Sequence, residues 1–306
     1  MPHHEIFLDI PPWHGISEPG FTYNFLGVKT RVDFLDIDMY PSLKESYKIQ
    51  ECFPGLPTFD EEYFEWIDLL ESVKKAKSGF TMIELGAGYG RWVVNAAAAL
   101  RLLNPVPCTL IAVEAEPDHF TMLNHHFSDN KLNAEDHVLL NKAIAVSDEP
   151  VKFWTGESRV WYGQEIDHTA EDPLSVMGKI KMGYRKFFGR MGILPVYEMN
   201  KTSVWIPGIT LSSILADYEK IDFIDMDIQG EEFKIINQSL ENLNEKVEKM
   251  HIGTHSSEVE SHLETLLKAE GWENLNNYHC NQWNDTPFGK IFFQDGVQTW
   301  INPRIN

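Results

Sequence analysis

Four acidic side chains and a histidine sit where apolar runs of this chain end, and these are the residues with chemistry to offer. Glu84 lies in "TMIELGAGYGRW", residues 81–92, two positions before the first of three alternating glycines, Gly86, Gly88 and Gly90. Glu114 closes "LIAVEAEP", Asp225 and Asp227 close "KIDFIDMDIQG", and His255 follows "HIGT". A carboxylate at such a position can accept hydrogen bonds from hydroxyls, or take a proton from one. A histidine can take that proton near neutral pH. Two carboxylates and a histidine are also compatible with a divalent cation, though they do not require one.

The glycines narrow the ligand. Glycine loses more conformational freedom on folding than any other residue, so three at alternate positions imply a tight turn lying close to something. At a strand-to-helix turn that something is a ligand facing helix-end amides, and the bland alternative is a turn that binds nothing. Dinucleotides favour G-x-G-x-x-G, whose third glycine would fall where this chain has Arg91. Here the spacing is G-x-G-x-G behind an acid. A pyrophosphate is a poor neighbour for Glu84, whereas S-adenosylmethionine carries an ammonium and a sulfonium and no phosphate. Glu114, at the second strand end, stands where ribose hydroxyls are held in such sheets, each charged hydrogen bond being worth about 1.5–3 kcal/mol. NAD would use the same acid, so Glu114 does not separate the two.

The elements that must position these residues alternate. Apolar runs "FTMIEL", "CTLIAVEAEP", "HVLLNKAIAV", "KIDFIDMDIQG" and "KVEKMHIGTHSS" read as strands, and "RWVVNAAAALRLL", "DHFTMLNHHFSDN", "TLSSILADY", "EEFKIINQSLENL" and "EVESHLETLLKAEGW" as helices. That order predicts an α/β, Rossmann-like fold: a mostly parallel sheet with helices on both faces. "GKIFFQDGVQTWIN" reads as a final antiparallel hairpin turning at Asp295-Gly296. A helix is predicted from Thr58 or Asp60, with Tyr63, Ile67, Leu70 and Val73 or Lys74 on one face. Residues 1–57, rich in proline and aromatics, read as an extension packed on the core of a domain spanning 58–306. The alternation breaks at about 155–208, read as an insertion or lid. From Pro173 to Lys201, Lys179, Lys181, Arg185, Lys186, Arg190 and Lys201 stand against a single acid, Glu198, which fits either a dock for an anionic substrate or a solvated face.

Composition excludes some partners. The formal net charge is −20 over 306 residues, a field that repels nucleic acid. No run of 18 apolar residues is present, so no membrane span is expected, and the first residues lack the basic-then-apolar pattern of a secretory signal. Cys52, Cys108 and Cys280 are far apart and in no metal-type spacing, which reads as reduced thiols in a cytoplasmic protein. The oligomeric state is not legible.

Taken in order, "ELGAGYG", "VEAEPDHFTMLNHHFSDN", "NKAIAVSDEPVKFW" and "TLSSIL…KIDFIDMDIQGEEFKII" resemble the FkbM-type family of class I S-adenosylmethionine-dependent methyltransferases, over roughly residues 80–270. Three positions depart from that pattern: Gln229 stands where the family has Glu, Ser212 near the Asp of "TLD", and "HIGTHSS" replaces the commoner "E-x-H" strand end. The resemblance implies a seven-stranded class I methyltransferase sheet and S-adenosyl-L-methionine as cofactor. Gly86, Ala87, Gly88, Tyr89 and Gly90 would pass beneath its methionine part, with Glu84 facing the ammonium. Glu114 and Ala115 would hold the ribose, and Lys142 and Ala143 would lie beside the adenine. Asp225, Asp227 and His255 would be the catalytic group, one of them a base that removes the acceptor's proton. The implied reaction is O-methylation of a sugar or natural-product hydroxyl, a small-molecule or glycan acceptor, with Arg159, Trp161 and Tyr162 lining its pocket. Two other readings stay open: a Rossmann-type NAD-dependent oxidoreductase or epimerase, and a degenerate methyltransferase fold that only binds.

Overall fold

The computed structural model describes residues 2–35, 41–155, 165–166 and 202–305. The expected substrate residues Arg159, Trp161 and Tyr162, and the basic stretch 173–201, lie outside the described residues.

Seven strands form one sheet. They are β1 (Phe80–Leu85), β2 (Cys108–Val113), β3 (Val138–Leu140), β4 (Ile221–Met226), β5 (Val247–Thr254), β6 (Glu273–Tyr278) and β7 (Gly296–Ile301). In space they run β6-β7-β5-β4-β1-β2-β3. Every neighbour pair from β5 to β3 is parallel, and β7 is antiparallel to both β5 and β6. The central strands β1, β2 and β4 are buried along most of their length rather than at alternate residues, because helices cover both of their faces. The chain order reverses between β1 and β4, and crevices at such a reversal are where ligands bind in open α/β sheets.

Among the described residues, seven helices supply the layers: α1 (Glu62–Lys75), α2 (Arg91–Leu103), α3 (Pro117–Asp129), α4 (Leu211–Ala216), α5 (Glu232–Gln238), α6 (Leu240–Lys246) and α7 (Ser257–Ala269). One face of the sheet packs on α1, α2 and α3, and the N-terminal side chains Ile6, Phe7, Ile10, Phe25 and Val28 join that cluster around Tyr63 and Phe64. The other face packs on α4 to α7 through Leu211, Ile235, Leu243 and Leu263. Among the described residues, no helix is long and apolar enough to cross a membrane.

Four local expectations are corrected. "EEFKIINQSLENL" is two helices, α5 and α6, meeting at Ser239. "HVLLNKAIAV" is cut in two: Val138–Leu140 ends the sheet, while Ala143–Ile144 pairs in parallel with Gly208–Ile209. The predicted helix start at Thr58 or Asp60 falls instead at Glu62. Finally, the runs flanking Asp295-Gly296 do not pair with each other. Gly289–Phe293 pairs with Gln282–Thr286, and β7 inserts between β5 and β6. The antiparallel end of the sheet is therefore β6 with β7. "ENLNNY" has too few apolar residues to read as a strand, yet the β7 edge gives its backbone partners.

Candidate functional site

A cleft opens at the carboxyl ends of β1, β2 and β4. The glycine turn forms its floor. The Gly86 and Ala87 amides both donate to the Val113 carbonyl at 3.0 Å, tying the turn to β2. Gly86 has φ +78, and a Cβ there would fall 1.9 Å from the Asp227 carbonyl oxygen; Gly90 has φ +73, and a Cβ there would fall 2.1 Å from Leu123 Cδ1. The turn thus needs glycine at 86 and 90 because β4 and α3 crowd it, whatever ligand lies above.

Seven expected residues line the cleft: Gly86, Gly88, Glu114, Ala115, Lys142, Ala143 and Asp227. Glu114 is buried, and its two oxygens accept the amides of Gly88 and Glu116, each at 2.7 Å. Burial, opposed by those amides, pushes its carboxyl up to about 7. His119, in the first turn of α3, places Nδ1 3.9 Å from Glu114 and also lines the cleft. Phe153, Ile228, Gln229 and Glu231 are among the further wall residues not singled out from sequence as a binding surface. The Pro117 turn was the only signal available for His119. For Phe153 there was none, because a single aromatic in a short strand carries no positional mark.

Other expected residues turn elsewhere. Ala87 is buried in the core beneath the turn, Tyr89 packs on Phe34 and His126, and Gly90 faces Leu123. Glu84 does not face the cleft. Its Oε1 and Oε2 accept the amides of Trp92 and Val93 at 3.2 and 2.9 Å, closing the N-terminus of α2. Those two amides are orphan donors at a positive helix end, and a carboxylate is a natural partner for them. Burial and the nearby Asp225 nevertheless raise the Glu84 pKa.

Asp225 is likewise turned away from the cleft. The strand register sets Glu84, Asp225, His251 and Thr299 side by side across β1, β4, β5 and β7. This polar row faces α1. There His251 Nδ1 lies 2.7 Å from Asp68 Oδ2, Thr299 Oγ1 donates to that oxygen at 2.5 Å, and Lys249 Nζ lies 2.8 Å from Asp68 Oδ1. Asp225 hydrogen-bonds with Glu65 of α1, and burial raises both carboxyls. Asp227 differs because β4 ends at Met226, which releases the next residue into the cleft.

At the cleft mouth, Asp227 meets His255. His255 Nε2 lies 3.1 Å from Asp227 Oδ1, and Nδ1 lies 3.0 Å from Oε1 of the fully buried Glu232. Neither residue is a helix cap, since Glu231 precedes α5 and Ser256 caps α7. Burial pulls the His255 pKa down, but the two carboxylates outweigh it and push it up to about 11. An imidazole so placed holds its proton at neutral pH, which corrects the expectation of a base titrating there.

The charges around the cleft select its ligand. Its lining carries three carboxyl groups, Glu114, Asp227 and Glu231, and one lysine, Lys142. The helix end that would hold a pyrophosphate is closed by Glu84, and the Gly88 amide is closed by Glu114. Arg91, at the third-glycine position, is held by Glu62 through two hydrogen bonds of 2.7 and 2.6 Å. A cationic nucleoside suits this donor and acceptor set, and a diphosphate does not.

Comparison with known proteins follows the same lines. Residues 84–273 match the family described as the methyltransferase FkbM domain. A "Putative methyltransferase" of Jannaschia sp. (strain CCS1) is 27% identical over 263 residues, 85% of either chain. Among solved structures, methyltransferase FkbM from Methylobacillus flagellatus KT is 11% identical with a TM-score of 0.41, over 74% of this chain and 45% of that one. The O-methyltransferase from Bacillus cereus in complex with SAH is 11% identical with a TM-score of 0.38, over 80% and 82%.

Proposed function

The chain belongs to the FkbM methyltransferase family, and from that premise we propose that its cleft binds S-adenosylmethionine and directs its methyl group to a hydroxyl of a sugar or natural-product acceptor. The observation that supports the cofactor is the closure of both anion-binding positions, α2 by Glu84 and Gly88 by Glu114. The same observation weighs against the nicotinamide-dinucleotide reading.

When bound, this cofactor supplies an electrophilic methyl group on a sulfonium. The chain's own residues do the rest. Glu114, with both oxygens anchored but lone pairs remaining, accepts ribose hydroxyls. Ala143, Ile144 and Phe153 offer an apolar wall for the base, and Lys142 a backbone edge. The acidic lining favours the cation over its neutral thioether product, which assists product release. Asp227, half exposed at the mouth, stands where an acceptor hydroxyl would approach, accepts its hydrogen bond and takes its proton as methylation makes that oxygen acidic. Aligning acceptor, methyl and sulfur supplies much of the rate in such a displacement.

Calorimetric titration with S-adenosylhomocysteine and with NADH, followed by labelled-methyl transfer onto a panel of glycans and hydroxylated natural products, tests this reading. Binding of the thioether with transfer to an oxygen is expected. Preference for NADH sinks the cofactor assignment, and thioether binding without transfer to any acceptor leaves a binding module.

A further inference from the structure

The cleft mouth holds a second arrangement that methyl transfer does not call for. Asp227 Oδ1, the Gln229 amide and His255 Nε2 form a triangle with sides of 3.1, 3.0 and 3.1 Å. As drawn, the Gln229 nitrogen faces both Asp227 and His255. Amide oxygen and nitrogen are interchangeable by a half-turn of the last bond, and the turned amide puts an oxygen at the same point. As the ion binds, His255 Nε2 gives its proton to solvent, and three acceptors then converge. Metal–ligand bonds of about 2.1 Å at right angles place neighbouring ligand atoms about 3.0 Å apart, which is the side of this triangle.

Three further features point to a cation. His255 is oriented from behind, its Nδ1 3.0 Å from Glu232 Oε1, and a carboxylate behind the far ring nitrogen is the usual support of a metal-bound histidine. Glu232 is fully buried, and its Oε2 has no hydrogen-bond partner among the described residues. Gln229 adopts φ +58, a left-handed backbone that a side chain other than glycine rarely takes, and such strain gathers at functional sites. Charge agrees: Asp227, Glu232 and Asp295 surround His255, and no lysine or arginine among the described residues pairs with any of them. The other acid–histidine group, Glu65, Asp225 and His251, has Lys249 in its surroundings and the Asp68 network to satisfy it.

We propose that Asp227 Oδ1, Gln229 Oε1 and His255 Nε2 form one face of an octahedral site for a divalent cation of the manganese or magnesium type, with Glu232 orienting His255. The three remaining positions are free for water or ligand oxygens. A carboxylate, an amide oxygen and an imidazole suit such an ion better than a thiophilic one. The site stands apart from the cofactor reading, since cation binding is measured with neither cofactor nor acceptor present.

The test is titration of the full chain with Mn²⁺ alone, read by loss of the electron paramagnetic resonance signal of the free aqueous ion. Wild type is expected to bind one ion per chain. His255→Ala is expected to weaken binding at least tenfold, and Gln229→Glu, which adds a second carboxylate, to tighten it at least tenfold. Circular dichroism confirms that each variant is folded, and Gln229→Glu keeps the test open should His255→Ala unfold. No bound ion in wild type and Gln229→Glu alike, or equal affinity in wild type and folded His255→Ala, overturns the site.

Discussion

The Glu84 carboxylate holds the Val93 amide 2.9 Å from its Oε2, so the acid of the glycine turn serves the helix that follows. Its other oxygen takes the Trp92 amide. Glu84→Ala would leave two buried donors at the start of α2 without partners. The expected loss is about 2 kcal/mol, from the missing cap and the unmade hydrogen bonds. Urea unfolding measures it. S-adenosylhomocysteine affinity in the folded variant should fall less than threefold, because Glu84 does not line the cleft. A large fall in affinity at unchanged stability would put Glu84 on the ligand instead.

Glu114 makes cofactor affinity depend on pH. Its carboxyl, pushed up to about 7 by burial, is partly protonated in the empty cleft at neutral pH. A ligand that donates hydroxyl hydrogen bonds and brings positive charge favours the carboxylate, so its pKa falls on binding. Binding then releases a proton at pH values between the bound and free pKa. Affinity for S-adenosylmethionine should therefore rise with pH up to about 7 and level off above it, by at most tenfold per pH unit. Glu114→Gln should weaken binding at least tenfold at pH 8 and flatten the profile. A wild-type affinity that falls as pH rises from 6 to 8 would contradict the assignment.

Asp68 anchors the buried network under α1, with Lys249, His251 and Thr299 all within hydrogen-bond reach. Burial would raise its pKa, but Lys249 and His251 outweigh that and hold it below the usual carboxylate range. Asp68→Ala leaves the buried Lys249 with Glu71 as its one remaining carboxylate, 3.0 Å away, and should cost about 3 kcal/mol in chemical denaturation at pH 7. A depressed carboxyl contributes stability above its unfolded pKa and loses it as pH falls through the folded one. The gap between wild type and variant should therefore narrow below about pH 4. A gap under 1 kcal/mol at neutral pH would show that the network adds nothing.

Much of the fold is legible in the sequence because buried parallel strands are written as short, mostly apolar runs rich in branched and aromatic residues. "FTMIEL", "CTLIAV" and "KIDFIDM" could be little else. The glycine turn and Glu114 are legible for a similar reason: a tight strand-to-helix turn and a strand-end acid are local features. β6 was hidden because its residues are mostly polar, and its pairing comes from β7, a strand close to it in space. Asp225 and Glu84 looked like site residues because both sit near strand ends. Sequence distance from a strand end does not say which side of the last residue faces the cleft.

By its own sequence, then, this chain determines an α/β sheet with a glycine turn fit for a nucleoside, since strand burial, turn backbone and helix periodicity are short-range properties. Tertiary structure alone decides what each acid does. Strand register places Glu84 and Asp225 under α1 and α2, the end of β4 at Met226 turns Asp227 outward, and α5 sets Glu232 behind His255. A carboxylate's role follows from its neighbours and its access to water, and those are supplied by strands and helices far apart in the chain.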